Sequence, residues 1–174
     1  MKKLLILLVT GCLSGTLAHA QDPKVTEDWS KKPAIVTPGC KAAPPSDAIV
    51  LFRKGKDIAN WESRKGPAKW KTGCGKMTVN GTGDILTKEK FGDCQLHVEF
   101  RTPVPAKGEG QGRGNSGVYI QTQYEVQVLD SYINETYYNG QAGSLYKQAP
   151  PLVNASRKPG KWQVYDIVFH APRF

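Results

Sequence analysis

The chain has 174 residues, 24 Lys and Arg against 15 Asp and Glu, a formal net charge of +9, and 39% hydrophobic residues. That is enough chain for one domain with a proper core, and no apolar run is long enough for a transmembrane segment. The lysines are scattered and no recognition motif accompanies them, so the charge reads as a solvated basic surface and excludes a nucleic-acid partner.

The first residues set the compartment. Met1-Lys2-Lys3 is a positive start, Leu4 to Val9 is an unbroken apolar run, and Leu17-Ala18-His19-Ala20 places small residues before Gln21. This is the pattern of a secretory signal peptide spanning residues 1–20, which predicts a periplasmic or secreted protein. Val9-Thr10-Gly11-Cys12 is the minor alternative, a lipoprotein box that would tether the protein at Cys12. Cleavage after Ala20 leaves 154 residues and, without Lys2 and Lys3, a charge of +7. The mature chain keeps Cys40, Cys74 and Cys94, an odd count that allows one bridge at most. Cys74–Cys94 and Cys40–Cys74 are equally open, and no cysteine pair stands at zinc-ligand spacing with histidine.

Residues 21–46 carry Pro23, Pro33, Pro38, Pro44 and Pro45 among lysines and predict an extended arm. From Asp47 the texture changes. Ala48-Ile49-Val50-Leu51-Phe52 predicts a short buried strand, closed by Lys54-Gly55-Lys56-Asp57. Further strands are expected at Met77–Val79, Asp84–Thr87, Gln95–Arg101, Gly117–Gln121, Glu125–Leu129 and Trp162–His170. After the signal peptide no stretch holds a helical apolar period over three turns, so residues 47–174 predict an all-β sandwich. Only Ala171-Pro172-Arg173-Phe174 follows the apolar strand Trp162–His170. A strand of that kind needs neighbours, which predicts a domain that is incomplete at its C-terminus.

Period-two alternation sorts the polar residues. Leu96, Val98 and Phe100 share one strand face, and Gln95, His97, Glu99 and Arg101 the other. By the same rule Glu125 and Gln127 share a face, and Asp130 joins them only if a bulge intervenes. Should the two polar faces coincide, they would line one concave sugar site. The loop Lys107–Gly117 lacks Gly-Lys-Ser/Thr and opens onto a strand, which excludes a phosphate cradle; it reads as a connection, or as a glycine-rich lip bringing Arg113 close to a ligand. His97, one of two histidines outside the signal, is a surface residue or an acid–base or metal candidate. Trp61, Trp70 and Trp162 are expected in the core. The Glu-x-Gln-x-x-Asp spacing from Glu125 is similar to the Glu-x-Asp-x-x-Glu strand of jelly-roll glucanases. Its central acid is here an amide, which argues against the two-carboxylate glycosidase mechanism.

Several linked motifs together resemble one family. They are Ile49-Val50-Leu51-Phe52 with Gly55-Lys56-Asp57 and Trp61; Ile85-Leu86-Thr87 with Phe91 to Arg101; Asn115-Ser116-Gly117-Val118-Tyr119; and Tyr124 to Ser131. Gly143-Ser144-Leu145-Tyr146 and Lys158-Pro159-Gly160-Lys161-Trp162 continue the series. Across residues 47–174 the chain resembles the 3-keto-disaccharide hydrolases. That resemblance implies a concanavalin A-like jelly roll and a hydrolase or lyase acting on 3-keto-glycosides; the alternative is a non-catalytic carbohydrate-binding module on the same fold.

A ketone at C3 acidifies the C2 proton, so a base can remove it and the C1 substituent can leave before hydration. On that chemistry Glu125 is expected in acid–base or metal-ligand duty, with Tyr146 as proton donor and His97 and Glu99 as further catalytic candidates. Arg113, Asn115 and Gln127, with Asp130, Tyr119 and Arg101, are expected to hold the sugar. Arg113, a divalent ion or paired hydrogen bonds could polarise the ketone. The metal and the oligomeric state stay open.

Overall fold

The computed structural model describes Lys24, residues 28–40 and residues 43–173. The signal peptide, the Cys12 box and the start of the arm lie outside the described residues. From residue 28 onward, regular structure is β, with short 3-10 turns between strands. The chain divides into two compact units: Asn60–Ala68 with Gly83–Phe174, and the chain up to Ala59 with Lys69–Thr82.

Among the described residues nine strands follow in order: β1 Trp61–Ser63, β2 Gly66–Pro67, β3 Lys71–Gly73, β4 Lys76–Thr78, β5 Leu86–Thr87, β6 Cys94–Phe100, β7 Ser116–Ile120, β8 Tyr124–Val128 and β9 Gln163–Phe169. They form small antiparallel sheets, β2-β1-β5, β3-β4, β6-β9 and β7-β8. The predicted strands from Met77 onward appear within a residue or two of their expected positions, whereas β1 to β3 went unpredicted because they are short and polar.

The expected strand at Ala48–Phe52 does not form. Ile49 and Val50 are 60% and 40% exposed, and residues 48–52 lie outside the strands. Apolar composition alone does not make a strand, because its backbone groups must also enter a paired ladder. Its turn does hold together: the Asp57 carboxylate accepts from the backbone N–H groups of Arg53 and Lys54 at 2.8 and 2.7 Å. These bonds, with Lys54's the larger, hold the Asp57 carboxyl below its usual range. In the same unit β3 and β4 join through Cys74-Gly75. Both residues have positive φ, the geometry of a tight hairpin turn. Cys40, Cys74 and Cys94 are all free thiols in the structure.

In the larger unit, β6 and β9 pair over their full seven residues, Cys94 opposite Phe169 through Phe100 opposite Gln163. The expected alternation on β6 is realised: Leu96, Val98 and Phe100 are turned inward, and Gln95, His97 and Glu99 are exposed. On β9, Tyr165, Ile167 and Phe169 face the same way as that apolar row. Phe100 stacks at a tilt on Tyr165, with ring centroids 4.7 Å apart. The apolar face meets the β7-β8 ribbon through Tyr124, whose ring lies 6.3 Å from that of Phe169. The Tyr165 hydroxyl donates to the Gln127 carbonyl at 2.7 Å. Burial pushes the Tyr165 phenol up to about 12, so it keeps its proton as a fixed donor between the two ribbons.

Candidate functional site

The face of β8 turned away from this contact carries Glu125 and Gln127. Three backbones run side by side here. On one flank β7 pairs with β8, placing Tyr119 opposite Glu125 and Gly117 opposite Gln127. On the other flank Leu145 bridges to Val126, and the Tyr146 N–H donates to the Glu125 carbonyl at 2.9 Å. A row therefore crosses the ribbon as Tyr119, Glu125, Tyr146 and finally Tyr137, whose hydroxyl lies 2.5 Å from that of Tyr146.

Glu125 is half-buried. Its carboxylate lies over the Cα of Gly117, so close that a Cβ there would collide with it. Glycine at 117 is thus what lets the carboxylate lie across the ribbon. The carboxylate accepts from the Tyr119 hydroxyl, which together with burial and Glu125's charge pushes that phenol up to about 12. Tyr119 itself is 57% exposed. Tyr119 keeps its proton at neutral pH, so the half-buried carboxylate accepts from a phenol on one flank and has Tyr146 on the adjoining backbone on the other.

Gln127 shares the face, as the alternation requires, yet it is 1% exposed. Its amide N–H donates to Gln111 Oε1 at 2.9 Å, and the exposed Asn115 donates to the Gln111 carbonyl at 2.8 Å. Gln111 in turn donates to the Gly140 carbonyl at 2.9 Å and to Thr136 at 3.1 Å. The glycine-rich loop is fastened further by Asn134, which accepts from the Gly110 N–H at 2.8 Å and donates to the Gly110 and Asp130 carbonyls. Gln111 and Asn134 were invisible as functional residues in the sequence, since nothing in their local spacing marks a hub made by contacts across 16 to 29 residues.

Two further expectations change. Asp130 was placed off the site unless a bulge intervened, and Arg113 was expected to reach a ligand. Instead the two make a buried ion pair, Arg113 Nε to Asp130 Oδ2 at 2.8 Å, with side-chain exposures of 19% and 2%. Arg113 also donates to the Ile133 carbonyl at 3.3 Å. The pair belts the loop to the end of β8.

The two polar faces do not coincide. His97 and Glu99 lie on the face of the β6-β9 ribbon opposite the one that meets Tyr124, and Glu125 lies on the far face of the other ribbon. Alternation fixes which residues share a strand face, but not which sheet faces oppose one another. His97 sits directly across from Asp166, with Nδ1 2.7 Å from Oδ1, and its Nε2 is 3.8 Å from Glu99. Arg101 lies beyond the end of β6 with its guanidinium 5.2 Å from the Trp162 ring, which is 42% exposed and so not the core residue expected. Among the described residues no three His, Cys, Asp or Glu side chains gather to hold a metal ion, and no helix is long and apolar enough to cross a membrane.

The hydrogen bond to Asp166 raises the His97 pKa above its usual 6.5, against a smaller opposing cost of burial. A raised folded-state pKa stabilises the fold fully below the unfolded value, and that contribution is lost as pH rises through the folded value. We expect the His97 imidazole to titrate above 6.5 by NMR, and Asp166→Asn to bring it back down. Because both side chains are exposed, the melting temperature should barely move.

Residues 47–174 match the family described as 3-keto-alpha-glucoside-1,2-lyase-like domain. Among curated proteins none matches. A solved structure of a Parabacteroides distasonis protein, provisionally described as a glycosyl hydrolase, is similar at 53% identity with a TM-score of 0.79. That similarity covers 87% of this chain and 66% of the other, so this chain spans just under two thirds of that protein's solved length. With its family matched from Asp47 to the last residue, the chain belongs to the 3-keto-alpha-glucoside-1,2-lyase-like domains.

Proposed function

We propose that the domain cleaves 3-keto-glycosides by elimination across C1 and C2, followed by hydration, on a concanavalin A-like jelly roll of which the facing ribbons are part. The row Tyr119–Glu125–Tyr146 carries this reading, because it sets a half-buried carboxylate beside the Tyr119 phenol, which donates to it, with Tyr146 on the adjoining backbone. The Glu125 carboxylate takes the C2 proton, and the electron pair it leaves forms an enediolate with charge on the C3 oxygen. Tyr146 donates a hydrogen bond to that oxygen as the charge develops. The electrons then return, the C1–O bond breaks, and the departing oxygen takes the proton held by Glu125. Water adding at C1 of the resulting enone completes a net hydrolysis.

Family membership and the likeness to the Parabacteroides distasonis structure support a sugar substrate. The engagement of Arg113 by Asp130 favours the phenols over the guanidinium as the group that meets the ketone oxygen. The positive start, the apolar run Leu4 to Val9 and the small residues before Gln21 support an exported location. Incubation with a 3-keto-disaccharide should release an enone or a 3-keto-monosaccharide, and the parent disaccharide with a hydroxyl at C3 should remain intact. Equal cleavage of both sugars would rule out the ketone-dependent route, and saturable binding with no turnover would support a binding module.

A further inference from the structure

We propose that Lys147, held over the Tyr146 ring, supplies the positive charge that stabilises the enediolate, an inference that rests on the function proposed above. Two observations carry it. Lys147 is the second central residue of a turn closed by the Gln148 N–H on the Leu145 carbonyl at 2.8 Å, and its φ is 58°. A left-handed position in a turn is the usual place of glycine, and a long side chain there strains the backbone. The second observation is where that side chain goes: its Nζ lies 5.4 Å from the centre of the Tyr146 ring. An ammonium over an aromatic face is attracted by the ring's quadrupole. The turn thus keeps a lysine where glycine would be easier, and it sets a cation beside the Glu125 row.

The reaction calls for such a charge. Negative charge develops on the C3 oxygen as Glu125 takes the C2 proton, and a fixed cation nearby lowers that barrier. Arg113 is engaged by Asp130, Nε to Oδ2 at 2.8 Å. Lys147 is exposed, and among the described residues no carboxylate forms an ion pair with it. Its backbone is pinned on both sides of the row. The Lys147 N–H donates to the Asn139 carbonyl at 2.8 Å, and the preceding Tyr146 N–H donates to the Glu125 carbonyl at 2.9 Å. The lysine stem therefore starts from a fixed point, next in the chain to the phenol that meets the ketone oxygen.

The test compares the unaltered chain with Lys147→Met, Lys147→Arg and Lys147→Gly on a 3-keto-disaccharide. In Lys147→Met, which keeps the apolar stem, kcat should fall by about 3- to 10-fold, the effect of one partly solvated charge on a neighbouring anion. KM should stay nearly unchanged, because the anion exists only as the reaction proceeds. Lys147→Arg keeps the charge and should keep most of the rate. Lys147→Gly should lose as much rate as Lys147→Met yet melt no lower than the unaltered chain, since glycine takes the left-handed turn without strain. A lysine with a merely structural part would instead give rates that follow the melting temperature. Added salt should slow the unaltered chain and Lys147→Arg, and leave Lys147→Met indifferent. An unchanged kcat in Lys147→Met, or an equal loss in Lys147→Arg, would overturn the proposal and leave the 3-keto reading standing. No turnover by the unaltered chain would remove the 3-keto reading, and with it the anion that Lys147 is there to meet.

Discussion

Glu125→Gln is expected to lower turnover of a 3-keto-disaccharide by about 10²- to 10⁴-fold, the range associated with loss of one positioned general base. The substitution is close to isosteric. The amide oxygen can still accept from Tyr119, and the side chain can still lie over Gly117, so substrate binding and melting temperature should change little. A fall in kcat with near-constant KM is the signature of an interaction made only in the transition state. A variant with the full rate would remove Glu125 from the chemistry. A variant that has lost both rate and fold would show that the carboxylate is a structural acceptor for Tyr119.

Asp130→Ala should be the most destabilising single substitution in the loop network. Asp130 is 2% exposed, one of its carboxylate oxygens pairs with Arg113, and the other accepts from the Tyr132 N–H at 3.3 Å. Truncation strands a mostly buried guanidinium. Removing one partner of a buried ion pair costs about 3–5 kcal/mol. The 19% exposure of Arg113 lets water recover part of this, which points to the lower end, about 3 kcal/mol. Denaturant unfolding would measure it as a lower midpoint with an unchanged slope. Because the pair belts the loop and does not face Glu125, catalysis per folded molecule should suffer less than stability. A stability equal to that of the unaltered chain would mean that the belt carries no net energy.

Both expectations rest on features that the sequence revealed unevenly. The strands β6, β8 and β9 were legible because their period-two alternation is strong and each is long enough to show it. The strand face of Glu125 was legible from alternation, and Tyr146 stood in the motif from Gly143; the structure sets the two on adjoining backbones. The burial of Gln127 was not, although its position on the Glu125 face was. Alternation gives the direction of a side chain but not whether a loop 16 residues away will fold over it. The same limit explains Arg113. A charged residue in a glycine-rich loop looks free to meet a ligand until the fold brings Asp130 against it. His97 and Glu99 drew attention as a polar row, and they are one, but the stacking of ribbons turns that row to the opposite side from Glu125. The contact of Tyr137 with Tyr146 left no trace in local patterning because it depends on Gly140 and on a hydroxyl nine residues along the chain.

Proton removal from C2 is the central step, and exchange at that carbon measures it most directly. A 3-keto-disaccharide incubated with the protein in heavy water should gain deuterium at C2 in recovered substrate or show a primary isotope effect when C2 carries deuterium from the start. Glu125→Gln should abolish whichever signal appears. Cleavage with no exchange and no isotope effect at C2 would contradict the account, since the C1–O bond would then be breaking without Glu125 ever taking a proton from its neighbour.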